Sequence, residues 1–150
     1  MNEKQLEQLK IDEGFSNKCY LCTKGKLTIG YGYNLDVNPL YLSSLEIGYA
    51  KTKGMSEVKA ESLLKLMVAQ AQKALEQRFH WFANLDAARQ GVLINMVYNM
   101  GIAGLLKFKK FLKCMEAGDY EQAAIEGLDS LWAKQVKGRA VRLMLDIRVS

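Results

Sequence analysis

The stretch 11–33, IDEGFSNKCYLCTKGKLTIGYGY, places a carboxyl group (Glu13), two thiols (Cys19, Cys22) and a hydroxyl (Thr28) just ahead of two glycines, Gly30 and Gly32. These are groups that give, take or orient protons. Glu13 falls at the end of an amphipathic run and immediately before Gly14. The partial negative charge of a helix C-terminus disfavours ionisation there, and packing by Phe15 adds desolvation; both raise a carboxyl pKa. A carboxyl group kept protonated near neutrality can act as a general acid. The plain alternative is a solvated glutamate in a helix-ending turn, and the local residues leave both open. Glycines beside tyrosines weaken a strand, so an approaching ligand is the natural compensation.

The hairpin register decides what shares a face. With a two-residue loop at Lys24-Gly25, Cys22 opposes Leu27 and Thr28 faces the other side. With a three-residue loop, Thr23-Lys24-Gly25, and Gly25 left-handed, Cys22 opposes Lys26 and Tyr20 opposes Thr28. Tyr20, Cys22 and Thr28 then share one face, because strand side chains alternate. Gly30 and Gly32 continue that face bare, while Leu27, Ile29 and Tyr31 pack on the other. The second register predicts a glycine-floored strip with a hydroxyl and a thiol at one end, and room for Glu13 above it.

Cys19-Tyr-Leu-Cys22 has the spacing of a redox or zinc pair. Zinc takes about four ligands, and only Cys114 and His80 remain as Cys or His candidates. A thioredoxin-like pair opens a helix, whereas this one lies in a strand-like run. No metal or cofactor is expected.

The elements that position these groups follow from periodicity. Residues 3–12 read as a short helix with Leu6, Leu9 and Ile11 on its apolar side, and 17–33 as the hairpin. After Pro39 comes a loose stretch. Ser56 caps a long helix to about Phe79, with Ala60, Leu63, Leu64, Met67, Val68, Ala71, Ala74 and Leu75 at helical spacing. Asp86 starts a helix through Met100 whose centre, GVLINMVYNM, is apolar on nearly every side and therefore buried; Gly101 ends it in a left-handed cap. A helix over 105–117 stops at Gly118, and shorter helices cover 119–127 and 139–147. The expected fold is α+β: one domain over 1–150, with a hairpin lobe about 13–55, a connecting helix about 56–79 and a helical lobe about 80–150.

Glu13, eight residues, Cys22, five residues, Thr28, then IGYG resembles the phage-type lysozymes, endolysins that hydrolyse peptidoglycan, whose signature is Glu-x8-Asp/Cys-x5-Thr in the context EG…TIGYGH. LDAARQGVLINMVYNMG at 85–101 is similar to that family's central buried helix, and SLWAKQVKGRAVRL at 130–143 to its late W…Q…RA segment. The resemblance implies a lysozyme-like fold. Glu13 then corresponds to the acid that protonates the glycosidic oxygen, and Thr28 to a residue that holds water on the opposite face of the sugar. Cys22 takes the second catalytic position, where many relatives have Asp. Glycoside hydrolysis ordinarily uses two carboxyl groups, roughly 6.5–9.5 Å apart when water attacks directly. A thiol of pKa about 8.5 is mostly neutral at pH 7. Cys22 therefore either orients water with Thr28 or attacks the sugar as a thiolate; a small buried apolar residue is the plain alternative.

Tyr33 stands where the family usually has His, which removes any pH-linked charge pair there. Tyr33 and Asn34 are implied sugar contacts at the cleft edge. Tyr98 and Asn99 match helix positions facing the cleft, with a core aromatic as the other reading of Tyr98. Arg139 matches the arginine near the catalytic Glu, where it either lowers the Glu13 pKa or fixes its orientation.

The formal charge of +5 favours polyanionic surroundings such as cell envelope, anionic lipid or nucleic acid, or simply a soluble basic surface. No nucleic-acid motif is present. LLKFKKFLKCM at 105–115 puts Leu105, Phe108, Leu112 and Met115 on one helix face, with Lys107, Lys109, Lys110 and Lys113 outside it. That suits either an anionic membrane surface or an ordinary packed helix with a basic exterior. The polar N-terminus lacks a secretory core, and no window reaches a membrane span. The expectation is a monomeric muramidase made in the host bacterial cytoplasm that reaches the wall through a separate holin-type pore, in a phage or prophage lytic cycle. A lytic transglycosylase and a non-catalytic wall-binding module are the alternatives.

Overall fold

The computed structural model describes residues 1–36 and 39–149. Helix α1 (Glu3–Glu13) ends where Gly14 takes a φ of +70° and donates its N–H to the Lys10 carbonyl at 2.8 Å. It buries Leu9 completely, but Ile11 is 73 % exposed. Residues two apart lie about 200° apart around a helix, so one apolar face cannot hold both. This corrects the expectation for Ile11.

Three antiparallel strands follow, β1 (Ser16–Leu21), β2 (Leu27–Gly30) and β3 (Tyr33–Asn34), in the order β1-β2-β3. A bulge in β1 falls between Ser16, paired with Gly30, and Tyr20, paired with Thr28. The stretch expected to be loose contains a 3-10 turn (Pro39–Tyr41) and a helix, α2 (Ser44–Lys53). Ser43 and Glu46 form a reciprocal capping box at the N-terminus of α2. Gly54 ends it with a φ of +89°, and a side chain at that position would collide with the Asn17 carbonyl. Asn17 is thereby free to accept the Met55 N–H at 2.8 Å, tying β1 to the start of the next helix.

That helix, α3 (Glu57–Arg78), is capped by Ser56 as expected, with Ser56 Oγ accepting from the Lys59 N–H at 3.2 Å. Ala60, Leu63, Leu64, Val68, Ala71 and Leu75 form its buried stripe. Lys10 pairs with Glu61 at 3.1 Å and Tyr31 donates to Glu57 at 2.7 Å, so α1 and the sheet are both fastened to α3.

Helix α4 (Ala87–Leu106) starts at Asp86, whose carboxylate accepts from the Arg89 N–H. Residues 91–97 are all buried, as the apolar run predicts. Gly101 does have a positive φ (77°), but with a ψ of 163° it kinks the chain, and helix resumes through Leu106. In consequence the next helix, α5 (Lys109–Ala117), begins four residues later than expected. It buries Phe111, Leu112 and Met115 and leaves Lys109, Lys110 and Lys113 exposed, the packed-helix reading of that segment. Gly118 caps it in the left-handed conformation (φ 75°, ψ 14°). Helices α6 (Tyr120–Leu128), α7 (Leu131–Val136) and α8 (Gly138–Val149) complete the chain. Gly127 lets α6 meet α8, since a Cβ there would run into Met144.

The architecture is therefore α+β and lysozyme-like, mostly helical with a small N-terminal sheet. The chain divides into two compact units, Glu3–Ala69 and Met1–Asn2 with Gln70–Ser150. The division falls within α3, and α1 belongs with the sheet. Among the described residues no single helix is long and apolar enough to cross a membrane.

Candidate active site

In the sheet unit the loop between β1 and β2 has three residues. Cys22 N–H donates to the Lys26 carbonyl at 2.9 Å, Gly25 N–H donates back to Cys22 at 2.8 Å, and Gly25 has a φ of +73°. Glycine accepts that conformation without the Cβ clash that penalises other residues. Tyr20 consequently pairs with Thr28, and Tyr20, Cys22 and Thr28 share a face.

The turn also concentrates donors around a thiol. The backbone N–H of Lys26, then that of Lys24, holds the Cys22 pKa below its ordinary value, with a smaller contribution from the Thr28 hydroxyl. Cys22 is half-buried and unbridged. The buried Thr28 hydroxyl donates to the Lys26 carbonyl at 2.8 Å. One hydroxyl proton serves one partner at a time. With it on Lys26, the Thr28 oxygen offers lone pairs, and a water between the two groups can donate to both the Thr28 oxygen and the Cys22 sulfur.

The two glycines of the strip part company. A Cβ on Gly32 (φ 73°) would stand 2.9 Å from Glu13 Oε2, so the carboxyl group overhangs bare backbone there. A Cβ on Gly30 (φ 66°) would stand 3.0 Å from the Cβ of Ala60 and 3.3 Å from Met55 Sδ. Gly30 therefore admits α3 and is not floor for a ligand, which corrects the expectation of a two-glycine strip. Phe15 packs on Tyr31, ring centroids 5.5 Å apart.

Tyr20 is 39 % exposed. Burial raises its phenol pKa, and the charge of Glu13 and then of Cys22 raise it further, so the hydroxyl stays protonated in the field of both groups. Cys19 turns elsewhere, its Sγ lying 3.4 Å from the Ala50 carbonyl; the CxxC spacing here belongs to two separately engaged thiols. Tyr33 is 1 % exposed. A ring at that depth is a core residue, which corrects its assignment as a sugar contact. Asn34 is half-buried, with its Oδ1 accepting the Asp36 N–H at 2.9 Å. A cavity of about 570 Å3 lies against α2 and the start of α3, but Glu13, Cys22 and Thr28 do not line it.

The helical unit carries the remaining candidates. Tyr98 and Asn99 are half-buried on α4. Trp132 Nε1–H donates to Asn99 Oδ1 at 2.8 Å, which turns the amide oxygen toward the indole. Trp132 also meets Phe108 edge-on, centroids 6.0 Å apart. Both rings line a cavity of about 560 Å3 with Met100, Phe111 and Gln135. Arg139 Nε donates to Asn95 Oδ1 at 2.9 Å. Asn95, 3 % exposed in an otherwise apolar stretch of α4, went unnoticed in the sequence. Its only signal is being the lone amide within GVLINMV, where a buried polar group needs a partner.

The small sheet thus carries a carboxyl group over Gly32 and, on one face, a thiol and a hydroxyl, groups that can give, take or orient protons. Comparison with known proteins identifies the family. A family model for phage lysozyme matches residues 10–148. The chain is 34 % identical over 152 residues to the probable T4-type lysozyme 2 of Dictyostelium discoideum, covering 92 % of this chain and 89 % of that protein. It is 28 % identical over 144 residues to the endolysin of Acyrthosiphon pisum secondary endosymbiont phage 1, covering 95 % and 87 %. It is 33 % identical over 160 residues to the pre-baseplate central spike protein Gp5 of Enterobacteria phage T4; 97 % of this chain matches, but it spans only 28 % of that much longer relative. The chain belongs to the phage lysozyme family, glycoside hydrolases of the bacterial cell wall.

Proposed function

We propose that this chain is a muramidase that cleaves the β-1,4 bond between N-acetylmuramic acid and N-acetylglucosamine. The observation that carries the reading is the Glu13 carboxyl group over Gly32, in the turn that follows β2, the strand that holds Thr28. Glu13 gives its proton to the glycosidic oxygen as the bond from that oxygen to the anomeric carbon breaks. Water adds its oxygen to the anomeric carbon and passes its proton to the Cys22 thiolate, while the Thr28 oxygen fixes its orientation. The lowered Cys22 pKa supports this role, because it raises the share of thiolate able to accept a proton near neutrality. A thiol and a hydroxyl side by side, both able to take a hydrogen bond from water, support hydrolysis over transglycosylation, which uses no water. Asn34, Tyr98 and Asn99 are proposed substrate contacts, and Arg139, held by Asn95, a supporting cation. The enzyme acts as a monomer on peptidoglycan, serves bacterial lysis for a phage or prophage, and passes from the host cytoplasm to the wall through a separate pore.

Glu13→Gln tests this. The amide cannot supply the proton, and loss of a general acid costs on the order of 10²- to 10⁴-fold in rate. A folded Glu13→Gln protein that still clears a peptidoglycan zymogram at full strength overturns the reading. Mass spectrometry of wild-type fragments separates the outcomes: reducing ends mark hydrolysis, and 1,6-anhydro ends mark transglycosylation.

A further inference from the structure

We infer that Tyr31 is a positioning residue of the reaction: its ring, anchored to α3 through the phenol, holds both the segment that carries Glu13 and the glycine beneath that carboxyl group. The inference rests on the assignment of Glu13 as the acid.

Three residues before Glu13, Lys10 sets its Nζ 5.9 Å from the centre of the Tyr31 ring. Two residues after Glu13, the Phe15 ring meets the same ring with centroids 5.5 Å apart. Both distances are those of attractive contacts, cation–π for Lys10 and aromatic pairing for Phe15. Between them the Gly14 N–H closes on the Lys10 carbonyl at 2.8 Å, so this short segment is held as a unit. On its other side Tyr31 is followed directly by Gly32, whose bare backbone lies under the Glu13 carboxyl group. One ring therefore touches both flanks of the acid and sets the floor beneath it.

The ring is fixed in turn by its hydroxyl, which donates to Glu57 Oε1 at 2.7 Å. Gly30 brings that partner into reach, since it lets Ala60 of α3 come close, and Glu57 lies one turn earlier on the same helix face. Lys10 reaches the same helix through Glu61, at 3.1 Å. Burial alone asks only for an aromatic ring here, and Phe would fill the space. The phenol adds a charge-assisted hydrogen bond, which fixes the ring in direction as well as in depth. Proton transfer is sensitive to that kind of placement, because a shift of about 1 Å in a reacting group costs on the order of 10²-fold in rate.

The test is Tyr31→Phe, Glu57→Ala and Glu57→Gln in the full chain, with kcat and KM on soluble peptidoglycan fragments and thermal melts on the same preparations. Tyr31→Phe and Glu57→Ala are each expected to lower kcat about tenfold with KM little changed. The double variant loses no more than either alone, because a single bond is removed in all three. Glu57→Gln keeps an acceptor and retains more kcat than Glu57→Ala. Unchanged kcat in folded Tyr31→Phe, additive losses in the pair, equal losses for Ala and Gln at position 57, or a change confined to KM would each overturn the proposal. Glu57 is exposed, so its variants carry the test even where Tyr31→Phe does not fold. Residual turnover in a Glu13→Gln background, read at high enzyme concentration, separates this role from the assignment beneath it. Tyr31→Phe is expected to cost little more there, its effect running through Glu13, and a full tenfold fall there sinks the role of Tyr31. A fully active Glu13→Gln sinks the acid itself.

Discussion

The Glu13 carboxylate and the missing side chain of Gly32 compete for one place, with Oε2 at 2.9 Å from where a Cβ on residue 32 would sit. No methyl group fits there unless the acid moves. Gly32 also has a φ of +73°, which L side chains adopt at a cost of about 1 kcal/mol or more. Gly32→Ala is therefore expected to act twice, lowering stability by ~1–2 kcal/mol and activity by far more than that loss explains. Thermal melts and zymograms on the same preparation check it. A folded Gly32→Ala protein with wild-type turnover would mean the acid does not need the position seen here.

Cys22 should be the reactive thiol of the three. Donation by the Lys26 and Lys24 N–H groups holds its pKa down, whereas burial pushes Cys19 and Cys114 up. Near pH 7 the thiolate fraction, and with it the alkylation rate, is then greatest at Cys22. Iodoacetamide at limiting concentration, read by peptide mass spectrometry, is expected to label Cys22 first and to remove activity in step. Cys22→Ser keeps a polar atom for water but no readily ionised group, so loss of the base is expected to cost on the order of 10²- to 10⁴-fold in rate. A covalent sugar–sulfur adduct at Cys22, trapped and read by peptide mass spectrometry, would point instead to direct attack by the thiolate on the sugar.

What the sequence disclosed and what it hid divide along physical lines. The apolar stripe of α3 and the all-apolar centre of α4 were legible because burial over several turns leaves a periodic trace. The α2 helix was not, since Leu45 is 87 % and Tyr49 65 % exposed and only Ala50 is buried. What stabilises it is the Ser43–Glu46 capping box, a signal present in SSLE that apolar periodicity overlooks. At the site the sequence left two registers open, and it is the three-residue loop with Gly25 at positive φ that unites Tyr20, Cys22 and Thr28. The difference between Gly30 and Gly32 was invisible, because alternation fails once both adopt positive φ and only the approach of Ala60 tells them apart. Tyr33 read as exposed by analogy of position, yet its ring is taken into the core.

A further expectation concerns acid stability. Burial pushes the Asp86 carboxyl up, but its hydrogen bonds with Arg89 and the Arg89 charge outweigh that and hold its pKa below the ordinary value. A depressed carboxyl pKa contributes stability that is complete above the unfolded value, about 3.9, and is lost as pH falls through the folded one. Arg89 is itself buried, donating to the Ile147 carbonyl at 2.7 Å with its guanidinium 3.6 Å from the Tyr120 ring. Asp86 is 40 % exposed, so solvent screening limits the gain to about 1 kcal/mol. Asp86→Asn keeps a good helix cap and removes only the charge. The wild type is expected to be more stable at pH 7, with the gap closing below about pH 4. A gap unchanged at pH 3 would assign the difference to the cap.

Lys137 carries the strain of the turn into α8. Its φ of 52° with a ψ of −112° is a conformation suited to glycine, and it is the one non-glycine residue with positive φ among those described. Holding a side chain there costs on the order of 1–3 kcal/mol, offset by the packing of Trp132 before it and Ala140 after it. Lys137 is exposed, so little contact is lost on removing its side chain. Lys137→Gly is then expected to raise stability by about 1 kcal/mol, part of the relief being cancelled by the greater freedom of glycine in the unfolded chain. For a chain of this size that is a rise in Tm of about 2–4 °C. If Arg139 needs the rigid turn to stay on Asn95, kcat falls as Tm rises. A lower Tm for Lys137→Gly would show that the turn holds no strain to release.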